Sequence, residues 1–327
     1  MATIKEIAEM VGVSSAAVSR VLNYDEGISV SPETKEAIFA AAEKVGYKKK
    51  VIYPKIENVV LLYWCEKIDE LEDIYYQNFK KELIKQAAKV NIDMTIVTRE
   101  DGMTAIPKGT IAFIAIGWMN RKEINALYKI CKKGVFIGTS PDEKLFDAVR
   151  PNLDSFVTQM VDYFMDNGIT DVGFVGGTDR NIDTGEPSMD VREWSFRQSM
   201  LYYGHLNEKH IHITDSFTVD AGYKTGLEMV KKGDLPKAIC VACDTLSVGL
   251  LQAFNEKGVS VPENVKVFSI NDINVARYVS PPLTTFHVDH EAICEAALDL
   301  LRSKVLGGSK ITKTVFVNGL PVMRKST

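Results

Sequence analysis

Residues 13–23 read VSSAAVSRVLN. Ser14 is a helix start signal, and at helical spacing Ala17, Val18, Val21 and Leu22 form one apolar face. The other face then carries Ser15, Ala16, Ser19, Arg20 and Asn23, which are mostly small, hydrogen-bonding and almost uncharged. Such a face suits close approach to a second polar surface. The major groove of DNA is about 12 Å wide, and small side chains at a helix N-terminus let the backbone come near the bases.

Other residue types that could do chemistry lack partners. Cys240 and Cys243 form a CxxC, but no second ligand pair accompanies it and it follows an apolar run, so two buried thiols are expected. No carboxylate or cysteine stands at an established zinc spacing from the histidines at 205, 210, 212, 287 and 290. VGFVGGTD has a glycine pair, yet neither a dinucleotide fingerprint nor a P-loop follows a strand, and no GxSxG elbow is present. The chain reads as a binding protein without catalysis, metal or cofactor.

Composition narrows the setting. Of the 327 residues, 46 % are apolar, enough for ordinary cores in two or three domains. There is no apolar stretch of spanning length and no secretory signal at the start, so no membrane partner is expected. Five scattered cysteines fit a reducing cytoplasm better than a disulfide framework. The net charge is −4, and residues 1–50 hold seven basic and seven acidic side chains. Any contact with DNA must therefore come from local arrangement, such as Lys48, Lys49 and Lys50 with Lys55 shortly after.

Three units position these residues. Residues 1–47 read as three helices: Thr3 and Glu6 make a capping box, Gly12 ends the first helix, Ser14 caps the second, and Ser31 with Pro32 starts the third. The third helix has Ala37, Ile38, Ala41 and Val45 as its apolar stripe. Together they form a helix-turn-helix. Residues 48–58, KKKVIYPKIEN, read as a basic linker interrupted by Pro54. From residue 59, strands at 59–64, 94–97, 111–116, 134–138, 171–177, 238–243 and 265–270 alternate with helical segments. That alternation predicts doubly wound parallel sheets. The expected class is α plus α/β, with lobes near 59–150 and 151–327 and a final segment able to pass back to the first.

TIKEIAEMVGVSSAAVSRVLN followed by VSPETKEAIFAAAEKVGY resembles the headpiece of the LacI/GalR bacterial transcription regulators. The resemblance continues through GITDVGFVGG, AICVACDTLSVGLLQAF and INDINVARYVSPPLTTFHVD. It implies a DNA-binding headpiece before a two-lobed core like that of periplasmic sugar-binding proteins. It places Ser15 and Ala16 at the two main specificity positions. Arg20 becomes a donor for guanine or phosphate, and Thr3, Ser14, Ser19, Asn23 and Ser31 become phosphate contacts that fix register. The implied partner is a pseudo-palindromic double-stranded operator, read by a homodimer. One departure stands out. Family members usually continue with a hinge helix of pattern near Y-x-P-N-x-x-A-R-x-L, whereas here Tyr47 is followed by KKKVIYPKIENV. Electrostatic contact from Lys48, Lys49 and Lys50 is expected in its stead.

The same resemblance implies a small sugar effector in the cleft between the lobes. Arg192 sits on the family's effector-binding arginine, and Asn271 on a position where many relatives carry Asp. Asp244 starts a helix at a strand end. Phe217 falls near an aromatic that stacks on sugars, and Tyr63, Trp64 and Tyr76 are first-lobe candidates. A sugar-contacting Asp of some relatives aligns with Gly138 and is lost. ELEDIYY and DVREW are similar to galactose-type repressors of low-GC Gram-positive bacteria, which makes galactose or a galactoside the leading effector. The alternatives are another sugar, a phosphoprotein corepressor or, remotely, a transport role.

Overall fold

A computed structural model describes residues 3–327 apart from 24, 26, 48–52, 66–69 and 308–309, and only the backbone at 70–73. The chain forms two compact units, Met1–Pro54 and Lys55–Thr327.

In the first unit, α1 (Ile4–Val11), α2 (Ser15–Leu22) and α3 (Pro32–Lys44) each begin at a side-chain cap. Thr3 Oγ1 accepts from Glu6 N–H at 3.2 Å, and Glu6 Oε2 accepts from Thr3 N–H at 2.8 Å. Ser14 Oγ accepts from Ala17 N–H at 3.1 Å and Ser31 Oγ from Thr34 N–H at 3.3 Å. These bonds satisfy amide groups that a helix start otherwise leaves unpaired. Gly12 closes α1 at φ +73°, in the left-handed region where a Cβ is unwelcome. Ile7, Ala8, Val18, Val21, Ile38, Ala41 and Ala42 fill the core. Ala37, expected on the α3 stripe, is instead exposed, and Ala42 is buried in its stead. The buried face runs through 38, 41 and 42, and residue 37 lies one step round the helix from it.

The first lobe of the second unit opens with β1 (Ile56–Trp64), α4 (Glu70–Lys89), β2 (Ile92–Thr98) and β3 (Ala112–Gly117). It continues with α5 (Arg121–Ile130), β4 (Gly134–Ile137) and β5 (Asp147–Pro151). The second lobe holds α6 (Leu153–Asp166), β6 (Val172–Gly177), the two-strand hairpin of β7 (Asp179–Arg180) and β8 (Pro187–Ser188), and α7 (Val191–Tyr202). After these come β9 (Ile211–Thr214), α8 (Val219–Lys232), β10 (Ala238–Val241), α9 (Asp244–Glu256), β11 (Lys266–Asn271) and β12 (Thr284–His287). The chain then returns. α10 (His290–Gly307) packs on α4 and on β3, β4 and β5, and β13 (Thr314–Val317) pairs with β5. β14 (Leu320–Val322) goes back to the second lobe, antiparallel to β12. The sheet orders are β13-β5-β4-β3-β1-β2 and β14-β12-β11-β10-β6-β9.

β1 starts at Ile56, inside the segment taken as linker. Asn58 there has φ +58°, and the pairing with β2 shifts register between Ile56 and Val59. This irregularity hides the strand's first residues from a test of alternation. The passages between lobes are also closely bound. Asn152 donates its backbone N–H to Val317 O at 2.9 Å and its side-chain amide to Asn318 Oδ1 at 2.8 Å. A Cβ at Gly319 would stand 2.4 Å from His287 O, so only glycine fits where the third passage meets the second.

Helices α8 and α9 cross with their backbones in contact. A Cβ on Gly249 would lie 1.9 Å from Val219 O, and one on Gly222 would lie 2.1 Å from Leu246 O. Gly249→Ala must push the helices apart and is expected to lower core stability by roughly 3 kcal/mol, read as a lower midpoint in denaturant unfolding. Gly307→Ala, whose Cβ would find only Ser303 Oγ at 4.0 Å, is the neutral control.

Candidate effector cleft and nucleic-acid interface

On α2, Ser15, Ala16, Arg20 and Asn23 are exposed and Ser19 is half-buried. The outward face is therefore formed by the residues that spacing placed there. Asn23 turns its amide back to Ser19 O at 2.7 Å. Arg20 is held by Asp25, Nε to Oδ2 at 2.7 Å, a partner the sequence reading did not single out. The hydroxyls of Thr3, Ser14 and Ser31 accept from backbone amides as helix caps. The hydroxyl protons of Thr3 and Ser14 stay free to donate, whereas the Ser31 hydroxyl also pairs with Thr34 Oγ1 at 3.1 Å. Lys48, Lys49 and Lys50 lie outside the described residues.

In the core, the C-terminal ends of the strands carry the cleft residues, as open α/β sheets require. Arg192, in the first turn of α7, forks onto Asp190: Nε reaches Oδ1 and Nη2 reaches Oδ2, both at 2.7 Å. Nη1 donates to Ala242 O at 2.9 Å, and the guanidinium carbon stands 4.6 Å from the Phe217 ring centroid. Burial opposes the charge on Arg192, but Asp190, with smaller contributions from Cys243 and Tyr76, raises its pKa above the usual value. Burial likewise works against the Asp190 carboxylate, and Arg192 outweighs it, holding that group below the usual range. The pair is therefore a fixed, fully charged platform.

Tyr76 reaches this platform from the other lobe. Its ring meets Tyr75 edge to face at 5.1 Å and Trp118 at 5.2 Å. Trp118 follows β3 and is 45 % exposed, a large aromatic surface at a strand's C-terminal end. Its place directly after an apolar run ending in Gly117 was the signal available in the sequence. Asn271 ends β11 at φ +118°, followed by Asp272 at +53°. Consecutive non-glycine residues in this region store strain, a recurrent property of ligand-contacting positions. The Asn271 side chain is half-buried and makes no hydrogen bond with the described residues. Asp272 beside it is fixed by Arg324 at 2.5 Å and His287 at 3.1 Å.

The structure thus brings Tyr76, Arg192 and Phe217 together, and leaves Asn271 with a free amide. Two expectations are corrected. Trp64 is 2 % exposed in the outer core and donates Nε1–H to Glu123 Oε1 at 2.9 Å. It alternates with Tyr63, so the two face opposite sides of the sheet. Tyr63 itself is buried, with Lys80 of α4 over its ring at 4.8 Å. Asp244 is fully buried: its oxygens accept from Ile273 N–H at 2.8 Å and Thr285 Oγ1–H at 2.7 Å. It ties the start of α9 to β12 and to the segment after β11, and offers nothing to a ligand.

The hairpin at 179–188 reaches across to the first lobe. Asp183 Oδ1 accepts from Arg121 N–H at 2.6 Å, at the start of α5. Asn181, Ile182 and Asp183 face Met119, Arg121, Ile124 and Pro141 around a crevice of about 190 Å³. No group of three or more metal-ligating side chains occurs among the described residues, and no described helix is long and apolar enough to cross a membrane.

A helix-turn-helix with a small-residue outer face, joined in one chain to a two-lobed α/β core, defines a DNA-binding regulator. Comparison with known proteins agrees. Residues 3–50 match the family model described as bacterial regulatory proteins, lacI family, and residues 161–327 match that for a periplasmic binding protein-like domain. The chain is 42 % identical over 328 residues to the HTH-type transcriptional regulator GanR of Bacillus subtilis (strain 168), covering all of this chain and 99 % of that one. Identity to LacR of Lactobacillus helveticus is 35 % over 331 residues, covering 100 % and 98 %. Among solved structures, the CelR–cellobiose complex shares the fold at TM-score 0.69 and 20 % identity, with both chains fully covered. The lac repressor dimer bound to operator and the anti-inducer ONPF does so at 0.68 and 18 %, covering 100 % and 99 %. The chain belongs to the LacI family of bacterial transcription regulators.

Burial pushes the Asp244 carboxyl up to about 7, against the hydrogen bonds of Thr285, Ser269 and Ile273 that favour its charge. Its ordinary value is 3.8, so between these limits the folded state binds more protons than the unfolded chain. The contribution of this group to stability is complete below its unfolded pKa and is lost as pH rises through the folded one. Asp244→Asn has no such loss. Its thermal midpoint relative to the unsubstituted protein is expected to rise from pH 4 to 7 and then level off. A difference that stays flat across that range shows that the carboxyl titrates normally.

Proposed function

We propose that this regulator is a repressor of sugar-utilisation genes that binds a pseudo-palindromic operator as a homodimer and is released by a small sugar, galactose or a galactoside. The observation that carries the effector reading is the Arg192 platform, charged, fixed on Asp190 and Ala242 O, and facing Phe217 and Tyr76. Sugars are bound by planar polar groups that take paired hydroxyls and by aromatic faces that take C–H surfaces. Asn271, with a free amide, adds a group that both donates and accepts. The galactoside assignment is supported by the likeness of ELEDIYY and DVREW to galactose-type repressors. Dimerisation is supported by Ile84 on α4 and Ile96 on the edge strand β2, 39 % and 40 % exposed. In the headpiece, Ser15 and Ala16 permit close approach and Arg20 supplies a base-reading fork.

Fluorescence anisotropy on DNA upstream of the gene's own operon, titrated with galactose, lactose, sucrose and raffinose, tests this reading. Specific binding released by galactose or a galactoside is expected. Arg192→Lys, which removes the planar fork, should retain operator binding and weaken the sugar response roughly 10-fold or more. Specific binding indifferent to all four sugars removes the effector assignment, and absence of preference over random DNA removes the operator reading.

A further inference from the structure

We infer that Asp25 is a positioning residue for operator recognition: it fixes the guanidinium of Arg20 so that its outer fork is presented to one guanine. This rests on the operator-binding reading of Arg20 above. Arg20 lies in the last turn of α2 with its side chain 52 % exposed, and an exposed arginine ordinarily samples many rotamers. Here Nε–H is spent on Asp25 Oδ2 at 2.7 Å. Asp25 is itself fixed. Its other oxygen accepts from Gly27 N–H at 2.9 Å, and its backbone N–H donates to Arg20 O at 3.0 Å. The carboxylate is therefore clamped by the turn after the helix and in turn clamps the guanidinium.

A guanidinium has five N–H donors, one on Nε and two on each Nη. With Nε taken, Nη1 and Nη2 of Arg20 make no other hydrogen bond with the described residues. Their end-on pair matches guanine O6 and N7. Ordering the side chain before binding removes part of the entropy cost of making that contact.

Charge makes the arrangement a trade of affinity for selectivity. Hydrogen bonds from Arg20 and Gly27 hold the Asp25 carboxyl below the usual carboxylate range, so it is ionised at neutral pH. A negative charge beside a recognition helix opposes the phosphate backbone at every sequence. With equal numbers of acids and bases in residues 1–50, Asp25 offsets Arg20 on the same surface. Arg20 then adds little as a point charge and most as an oriented pair of donors.

The test uses the full-length protein and an operator selected from random DNA. Dissociation constants are measured for the operator, for each single-base-pair variant of one half-site, and for random sequence. The proteins are the unsubstituted chain, Arg20→Ala, Asp25→Ala and Asp25→Asn. One G·C pair should cost the unsubstituted protein roughly 10-fold when replaced, and Arg20→Ala should abolish that penalty. Asp25→Ala should shrink the same penalty at least threefold while binding random DNA more tightly. Asp25→Asn keeps an oxygen for the Gly27 amide and separates a loss of turn structure from a loss of orientation; it should show the same sign. If Arg20→Ala leaves every base preference intact, the operator reading of Arg20 fails. If Arg20→Ala removes a preference that both Asp25 variants keep in full, Arg20 reads its base unaided and the positioning role of Asp25 is overturned.

Discussion

The chain of the core passes three times between the lobes side by side, and these passages bind one another. Asn152 is bonded to Val317 and Asn318, and Gly319 comes against His287 O because it has no side chain. This junction fixes what each sheet presents to the other. β3 and α4 bring Trp118 and Tyr76 to one wall of the cleft, while α7, the segment after β9 and β11 bring Arg192, Phe217 and Asn271 to the other. Closure about a few element-terminal residues is how two-lobed binding proteins grip a ligand. The bonds among these passages are what keep opposing residues in register.

Two buried ionisable groups in the second lobe show opposite solutions to one problem. Arg192 is removed from water but keeps its charge, because Asp190 meets it fork to fork and a carbonyl takes another proton. Asp244 is also removed from water, with neutral donors around it and no cation, so its proton becomes hard to lose. The first arrangement leaves an oriented charge beside the cleft. The second locks a helix start to one strand and to the segment after another. Sequence position alone did not separate them, since both groups follow directly after strand or loop ends.

Local chemistry was the most legible part of the sequence. Thr3, Ser14 and Ser31 act within three residues of themselves, and their caps could be read without any tertiary knowledge. The longer alternating elements were legible for the same reason. Some short strands were not: Asp147–Pro151, Ile211–Thr214, Thr284–His287 and Thr314–Val317 are defined by neighbours far along the chain, whereas the equally short Gly134–Ile137 and Ala238–Val241 showed as apolar runs. Among site residues, Arg192 and Phe217 were found through family likeness and Tyr76 through residue type. Trp64 failed on a rule the sequence did contain, because adjacent strand residues cannot face one cleft. Asp25 and the cross-lobe contact of Asp183 depend on loops whose course no periodicity reveals.

The return of the chain also sets an order in time. Residues 3–47 form their unit from contiguous sequence, so a growing chain has its whole headpiece early. Neither lobe of the core is then complete. The first lacks α10 and the strand at Thr314–Val317, and the second lacks Leu320–Val322 and the wholly buried Ser326, which bonds Thr284 and Val267. Contacts so distant in sequence close slowly and late. During synthesis, the part that touches DNA is finished well before the part that governs it.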